Sequence, residues 1–300
     1  MNINDLRAFV AVVKSNSLTR AAETLFLTQS AVSRRIQHLE ESLGAELFDR
    51  ATKPPRVTAL AHRVYALAVP LLQGVDRLVD VTREDAPPTG LFRIGLTRVV
   101  SDIALFDAVL KLKDAFPDLE VQSTNDWGPQ LFAQLENGAL DAATLMLPAV
   151  AVPPASVSAR RIATLEVMVV QSARKPLVPE RATLGQLAKQ GWILNPEGCG
   201  YRAALEHAFD MKGQPLRLSV DTHGTDTQLR LIAAGLGLGL VPKSVLNASP
   251  LHDDLAVVDT RGFSLNLAVW LAHGNHMGNL RGAVEVLEGA LLEAFASSSR

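Results

Sequence analysis

The chain of 300 residues and 32.2 kDa carries 29 Lys and Arg against 31 Asp and Glu, a formal net charge of −2, with 48% hydrophobic and 20% charged residues. That composition excludes disordered, collagen-like and fibrous coiled-coil chains and supplies two or three domains at roughly 100–200 residues each. A single cysteine rules out an internal disulfide, MNINDLRAFV has no secretory character, and no run of about eighteen uncharged apolar residues offers a spanning helix, so a cytoplasmic protein with no membrane partner is expected.

Net charge averages over an asymmetry. Residues 1–65 hold nine Lys and Arg against six acids and are +3, which leaves −5 for the remainder. Within this basic head, Leu6, Phe9, Val10 and Val13 form the i, i+3, i+4, i+7 stripe of an amphipathic helix, broken at Ser15–Ser17. Ser17 is placed to cap a short second helix over Leu18–Leu25, with Ala21 and Ala22 as a face for close crossing. Phe26 and Leu27 form a turn. Thr28 caps a third helix built on Val32, Ile36, Leu39 and Leu43 and ended by Gly44.

The outer face of that third helix carries Gln29, Ser30, Ser33, Arg34 and Gln37. Its first turn has the side chains that read base edges: Gln pairs with adenine, Arg with guanine or phosphate, and Ser donates or accepts. A solvated polar face is the competing reading. Phe48, Asp49 and Arg50 then lead through a turn at Lys53-Pro54-Pro55-Arg56 into Val57-Thr58, the pattern of a two-stranded wing whose basic tip lies along a DNA backbone.

The segment LTRAAETLFLTQSAVSRRIQHLEESLGAELFDR resembles the winged helix-turn-helix of LysR-type transcriptional regulators. The resemblance rests on the AA pair of helix two, TQ-x-x-VS-x-x-I-x-x-LE in helix three and the L-F-x-R that opens the wing, all in one ungapped stretch. It implies double-stranded DNA contacts at Gln29, Ser30, Ser33, Arg34 and Arg50, to which the helix cap Thr28 and the basic wing tip, Lys53 and Arg56, are added as expected contacts. One departure follows the wing, where the family's L-T-x-x-G has His62 in place of the glycine, a change that bears on how the next helix starts.

Leu60, Val64, Leu67, Leu71, Gly74, Leu78 and Val81 step by four and three, the seam of a dimerising helix. Pro70 lies within it and predicts a kink or break near Val69. Asp85-Ala86-Pro87-Pro88-Thr89-Gly90 marks a domain boundary. The expected division is a winged helix-turn-helix over 1–58, a linker helix over 59–86 and an effector domain over 91–300. Two α/β lobes make up the last, one from 91–162 with 266–300 and one from 163–265.

Beyond Gly90 short apolar strands alternate with helices: strands at Phe92–Leu96, Val121–Thr124, Ala142–Leu147, Leu165–Val170, Trp192–Leu194, Leu218–Val220, Gly239–Val241 and Leu265–Leu271, with a last helix over Leu280–Phe295. This predicts an α/β body with a largely parallel sheet and a cleft at strand C-terminal ends. It is similar, more loosely, to the two-lobed periplasmic-binding-protein-like effector domain of the same family. Gly235-Leu236-Gly237-Leu238-Gly239 follows a helix instead of a strand, so it is read as a helix stop and a close-packed strand and not as a dinucleotide fingerprint.

Loops after the strands bring Thr97, Arg98, Val99 and Ser101, then Asn125, Trp127 and Gly128, then Cys199, Gly200, Tyr201 and Arg202, then His223 and Thr225 to the expected cleft. Arginine forks suit a carboxylate and Trp an apolar ring, so an organic acid, aromatic or not, is the expected effector. Cys199, just before a helix, sits where a thiol pKa is lowered, and redox sensing competes with a plain lining role. Two other readings remain at this level: an enzyme with Cys199 as nucleophile, His223 as base and Asp221 or Asp226 as orienter, and a solute-binding protein. The resemblance favours a non-enzymatic regulator without cofactor or metal, a homodimer or homotetramer that works with RNA polymerase.

Overall fold

The computed structural model describes residues 1–49, 56–80, 86–261 and 264–298, and the chain divides into two compact units, Met1–Asp85 and Ala86–Glu136 with Leu140–Arg300. In the first, helices α1 (Ile3–Ser15), α2 (Leu18–Thr24) and α3 (Gln29–Leu43) start where the capping residues stand. The Ser17 hydroxyl accepts from Arg20 N at 3.3 Å and Thr28 from Ala31 N at 3.2 Å, each satisfying a donor the first helical turn leaves orphaned. Gly44 ends α3 in the left-handed region, at φ 65°. Leu6, Phe9 and Val12 of α1 pack on Ala21 and Ala22 of α2 and on Val32, Ile36 and Leu39 of α3. Val12 replaces Val13 as the buried member of the α1 stripe, and Leu43 is 41% exposed.

Strands β1 (Phe48–Asp49) and β2 (Arg56–Val57) pair antiparallel, Phe48 opposite Val57, and form the base of the wing. Buried Glu40 of α3 anchors it, accepting the backbone N–H of Leu47 at 2.7 Å and of Phe48 at 3.2 Å. The Phe48 ring meets Phe9 edge-on with centroids 6.0 Å apart. Thr58 then caps α4 (Ala59–Asp80), its hydroxyl accepting from Ala61 N at 3.1 Å. His62 is exposed and its N–H bonds Thr58 O at 3.2 Å, so the helix begins normally without the family's glycine.

The break expected at Pro70 does not occur: α4 runs unbroken through it. Proline removes one backbone bond, and Ala68 and Leu72, buried on either side of it among the residues of α1 to α3, hold the turn in place. Helix α4 has two faces, a buried one beside the seam and the seam's own outer residues. Ala61, Ala68 and Leu72 are buried in the head, whereas Leu67, Leu71 and Leu78 are 75%, 52% and 71% exposed. Val81 lies outside the described residues.

In the second unit the element order is β3 (Gly90–Leu96), α5 (Arg98–Ala115), β4 (Leu119–Asn125), α6 (Gly128–Glu136), β5 (Ala142–Pro148), β6 (Ser158–Ser172), β7 (Arg181–Thr183), α7 (Leu184–Leu187), β8 (Gly191–Leu194), α8 (Gly200–Asp210), β9 (Arg217–Asp221), α9 (Thr225–Ala233), β10 (Leu238–Pro242), α10 (Lys243–Ala248), β11 (Leu255–Arg261), β12 (Leu265–His273) and α11 (Arg281–Ser298). The main sheet runs β4-β3-β5-β12-β6-β10-β8-β9. Its two ends are parallel trios, β4-β3-β5 and β10-β8-β9. Between them β12 pairs antiparallel with both β5 and β6, and β6 pairs antiparallel with β10. "Largely parallel" therefore describes each half, and the join is antiparallel. Strand β6 begins at Ser158, seven residues before its apolar run at Leu165, and continues across the position 162/163 where the two lobes were expected to part.

The glycine string serves packing. Gly235 stops α9 at φ 85°, and a Cβ on Gly239 would fall 2.1 Å from Ile232 Cδ1, so β10 approaches α9 as only glycine permits. Trp192, fully buried, donates Nε1–H to Leu187 O at 3.2 Å and packs edge-on against Phe209.

Candidate DNA-reading face and ligand cleft

In the head, Thr28, Gln29, Ser30 and Arg34 are exposed and Ser33 is half-buried, all on the first two turns of α3. The Thr28 and Ser30 hydroxyls lie 3.1 Å apart. Arg56 is exposed on β2, opposite Asp49. Arg50 and Lys53 lie outside the described residues. Phe26, in the turn before α3, is 95% exposed with φ 53°, a conformation that an aromatic side chain adopts rarely.

In the body, loops that follow β3, β4, β8 and β9 enclose a cavity of about 310 Å³. Of the expected residues, Thr97, Arg98, Val99, Asn125, Trp127, Cys199, Tyr201, His223 and Thr225 line it, joined by Asp126, Met146, Asn195 and Gly224. Asn195 is the first residue after β8 and was legible by the same loop rule; Met146 is inside a strand and was not. Gly128 and Gly200 face a second cavity of about 810 Å³ instead. Ser101 is buried inside α5 and lines neither cavity.

Arg202 is the main correction. Its Nε bonds Glu206 at 2.7 Å, its Nη1 reaches Asp221 at 3.2 Å and Asn195 O at 3.4 Å, and Glu197 lies 3.7 Å from Nη2. Glu206, first among these partners, stabilises the charged guanidinium further. The fork is occupied by protein carboxylates and does not face the cleft. Arg98, by contrast, is exposed at the start of α5 with no ion pair among the described residues.

Three helices present their N-termini to the smaller cavity: α5, α8 and α9, of 18, 11 and 9 residues, through the caps Thr97, Cys199 and Gly224. Thr97 makes no side-chain hydrogen bond to α5 and Gly224 has no side chain to offer, while the Cys199 sulfur takes the Tyr201 and Arg202 N–H groups, so the positive dipole ends of the three helices are directed at one space. Thr97 and Tyr201, two residues of its wall, are 2% and 4% exposed, and their hydroxyl oxygens are buried out of reach of water with no partner among the described residues. Burial keeps the Tyr201 phenol well above its ordinary value, hence a donor. Asp126, the one carboxylate on the wall, accepts from Trp127 N at 2.8 Å and Gln134 Nε2 at 3.3 Å. Trp127 and His223, from loops at opposite ends of the sheet, bring their rings to 6.4 Å across the cavity.

Cys199 departs from expectation. It is 1% exposed, and burial pushes its thiol up, outweighing the lowering effect of the Arg202 and Tyr201 N–H groups, the Asn195 amide and the Arg202 charge. Its sulfur receives Asn195 Nδ2 at 3.8 Å, while the His223 ring is set against Trp127, Asp221 bonds Arg202 and Asp226 pairs with Arg230 at 2.9 Å. The Cys199–His223 dyad with an aspartate orienter is not assembled.

A three-helix head with a wing, followed by a two-part α/β body with a cleft at strand ends, defines a transcriptional regulator with a DNA-binding domain and an effector-binding domain. Residues 3–62 match the profile "Bacterial regulatory helix-turn-helix protein, lysR family" and residues 85–296 the profile "LysR substrate binding domain". The chain belongs to the LysR family, whose members are transcriptional regulators. The RuBisCO operon transcriptional regulator of Allochromatium vinosum is 28% identical over 268 residues, 88% of this chain and 86% of its own. A Cys-to-Asp variant of full-length OxyR from Pseudomonas aeruginosa shares the fold with TM-score 0.70 at 20% identity over 97% of this chain and 94% of its own. Full-length CbnR in complex with its target DNA does so with TM-score 0.61 at 19% identity over 99% and 100%. Among the described residues no helix is long and apolar enough to cross a membrane, and no cluster of side chains fits a metal ion.

Proposed function

We propose that this regulator reads double-stranded operator DNA through Gln29, Ser30, Ser33 and Arg34 of α3, with Thr28, Arg50, Lys53 and Arg56 on the phosphate backbone, under control of an organic acid held in the body's smaller cavity. The observation that carries the acid is the convergence of three helix N-termini on a space that also holds Arg98, which has no ion pair among the described residues. A carboxylate accepts from first-turn N–H groups and offsets the dipoles and the guanidinium. A neutral ligand leaves the dipoles unmatched.

The boundaries 1–58, 59–86 and 91–300 assign these roles to separate segments of a cytoplasmic, non-enzymatic protein. Exposed Leu67, Leu71 and Leu78 on α4 support pairing of two chains along that helix, which sets two heads on dyad-related half-sites of DNA. Acid binding shifts the equilibrium between arrangements of the heads and so the bend of the operator and its access to RNA polymerase. The test is thermal shift of the full chain with carboxylic acids and their amides: acids are expected to stabilise and amides not, with the difference lost in Arg98→Gln. Equal stabilisation by amides rejects the acid reading.

A further inference from the structure

We infer that the effector is an amphiphilic acid, its carboxylate in the smaller cavity and an extended apolar body passing Trp127 and Met146 into the larger one; the inference rests on the acid reading above.

Trp127 and Met146 line both cavities and form the partition between them. On one side lie the helix N-termini and Arg98. On the other lie about 810 Å³ walled by Phe132, Leu145, Leu147 and Leu265, with no Asp, Glu, Lys or Arg among the lining residues. The larger space is within the range of small-molecule sites, whereas the smaller is at its lower end.

Helix α8 shows how the space arises. Its core-facing residues are Tyr201, Leu205 and Phe209; Gly200, Ala203, Ala204, His207 and Ala208, at i, i+3, i+4, i+7 and i+8, form the neighbouring face and line the cavity. Four of these five are glycine or alanine, so this face leaves open room beside the anion-receptive space. Apolar surface of this kind remains wet unless a ligand covers it, and burying it contributes about 0.8 kcal/mol per methylene, about fourfold in affinity. Charge selects the head, and the apolar partition fixes the direction of the tail.

The test uses the full chain with butyrate, octanoate and octanamide as probes in titration calorimetry. Octanoate, with four more methylenes, is expected to bind on the order of 200-fold more tightly than butyrate when all four are buried, and octanamide much more weakly than octanoate. In Ala204→Phe, which fills the larger cavity, the octanoate-to-butyrate ratio is expected to collapse toward unity. A second measurement needs no cavity variant: 8-bromooctanoate at saturation is expected to quench fluorescence that disappears in Trp127→Phe. Equal binding of butyrate and octanoate to the unaltered protein, or absence of that quenching, overturns the inference and leaves the acid reading standing. Failure of both acids to bind overturns both. Length-independent binding joined to a changed oligomeric state in Ala204→Phe assigns the cavity to a protein neighbour and also overturns it.

Discussion

Glu40 Oε1 receives the Leu47 N–H at 2.7 Å, and with the neighbouring Phe48 N–H at 3.2 Å this fixes the first strand of the wing to the C-terminal half of α3. The carboxylate is nearly buried, so its removal leaves two backbone donors without a charged acceptor in a place water reaches poorly. Glu40→Ala is expected to lower stability by about 2–4 kcal/mol in urea unfolding, and Glu40→Gln by less, since an amide oxygen still accepts. Equal midpoints for Glu40→Ala and the unaltered chain would remove the anchor from this account.

On the proposed reading, Arg34 and Arg56 separate base recognition from backbone affinity. Arg34→Ala is expected to cost about 1–3 kcal/mol at the operator and to relax preference at one position, whereas Arg56→Ala weakens all DNA alike and flattens the salt dependence. Both are measured by fluorescence anisotropy on specific and scrambled duplexes across a salt series. An intact operator preference in Arg34→Ala contradicts its assignment.

Arg202 and Arg98, given one role by residue type, are separated by their surroundings. Arg202→Gln leaves Glu206, Asp221 and Glu197 without their shared cation and is expected to lower stability by about 1–2 kcal/mol, the exposed ends of those pairs being screened by water. Discrimination between an acid and its amide is retained there and lost in Arg98→Gln. Thermal shift with both ligands on both variants gives the comparison directly.

Cys199 is expected to alkylate slowly with iodoacetamide near neutral pH, at the rate of a buried thiol, and faster on addition of urea. Because burial raises the folded-state thiol, the unfolded chain loses this proton first as pH rises. The stability tied to the neutral thiol is therefore complete below the ordinary thiol range and declines above about pH 8.5. The stability difference between the unaltered chain and Cys199→Ala should shrink over that range; a difference that grows with pH would reverse the sign.

Local chemistry made the head legible. Ser17, Thr28 and Gly44 act within one helical turn of themselves, so their sequence positions alone specify where α2 and α3 begin and where α3 ends. The role of Glu40 was not legible, since its partners come seven and eight residues later through a turn. Arg202 shows the same division: its pairing with Glu206 follows from helical spacing, while Asp221 is brought to it by the β8–β9 ladder. Strand β11 was missed because it draws its pairing from β6 and from β7, a strand of only three residues. For Cys199 the helix start was read correctly and the depth of burial, a property of the whole core, decided the outcome.

Strand β6 has 15 residues, roughly 50 Å of extended chain at about 3.3 Å per residue, and β12 follows it antiparallel for much of that length. A sheet that runs unbroken from one trio to the other resists shearing and stretching, because either motion tears ladder hydrogen bonds, whereas twisting about the shared strands costs only small changes in backbone dihedrals. This connection favours twisting of the two halves about the shared strands over sliding or separation. A ligand wedged at one edge of these strands needs to deliver only a small rotation, and the outer strands β4 and β9, farthest from the axis, sweep the longest arc.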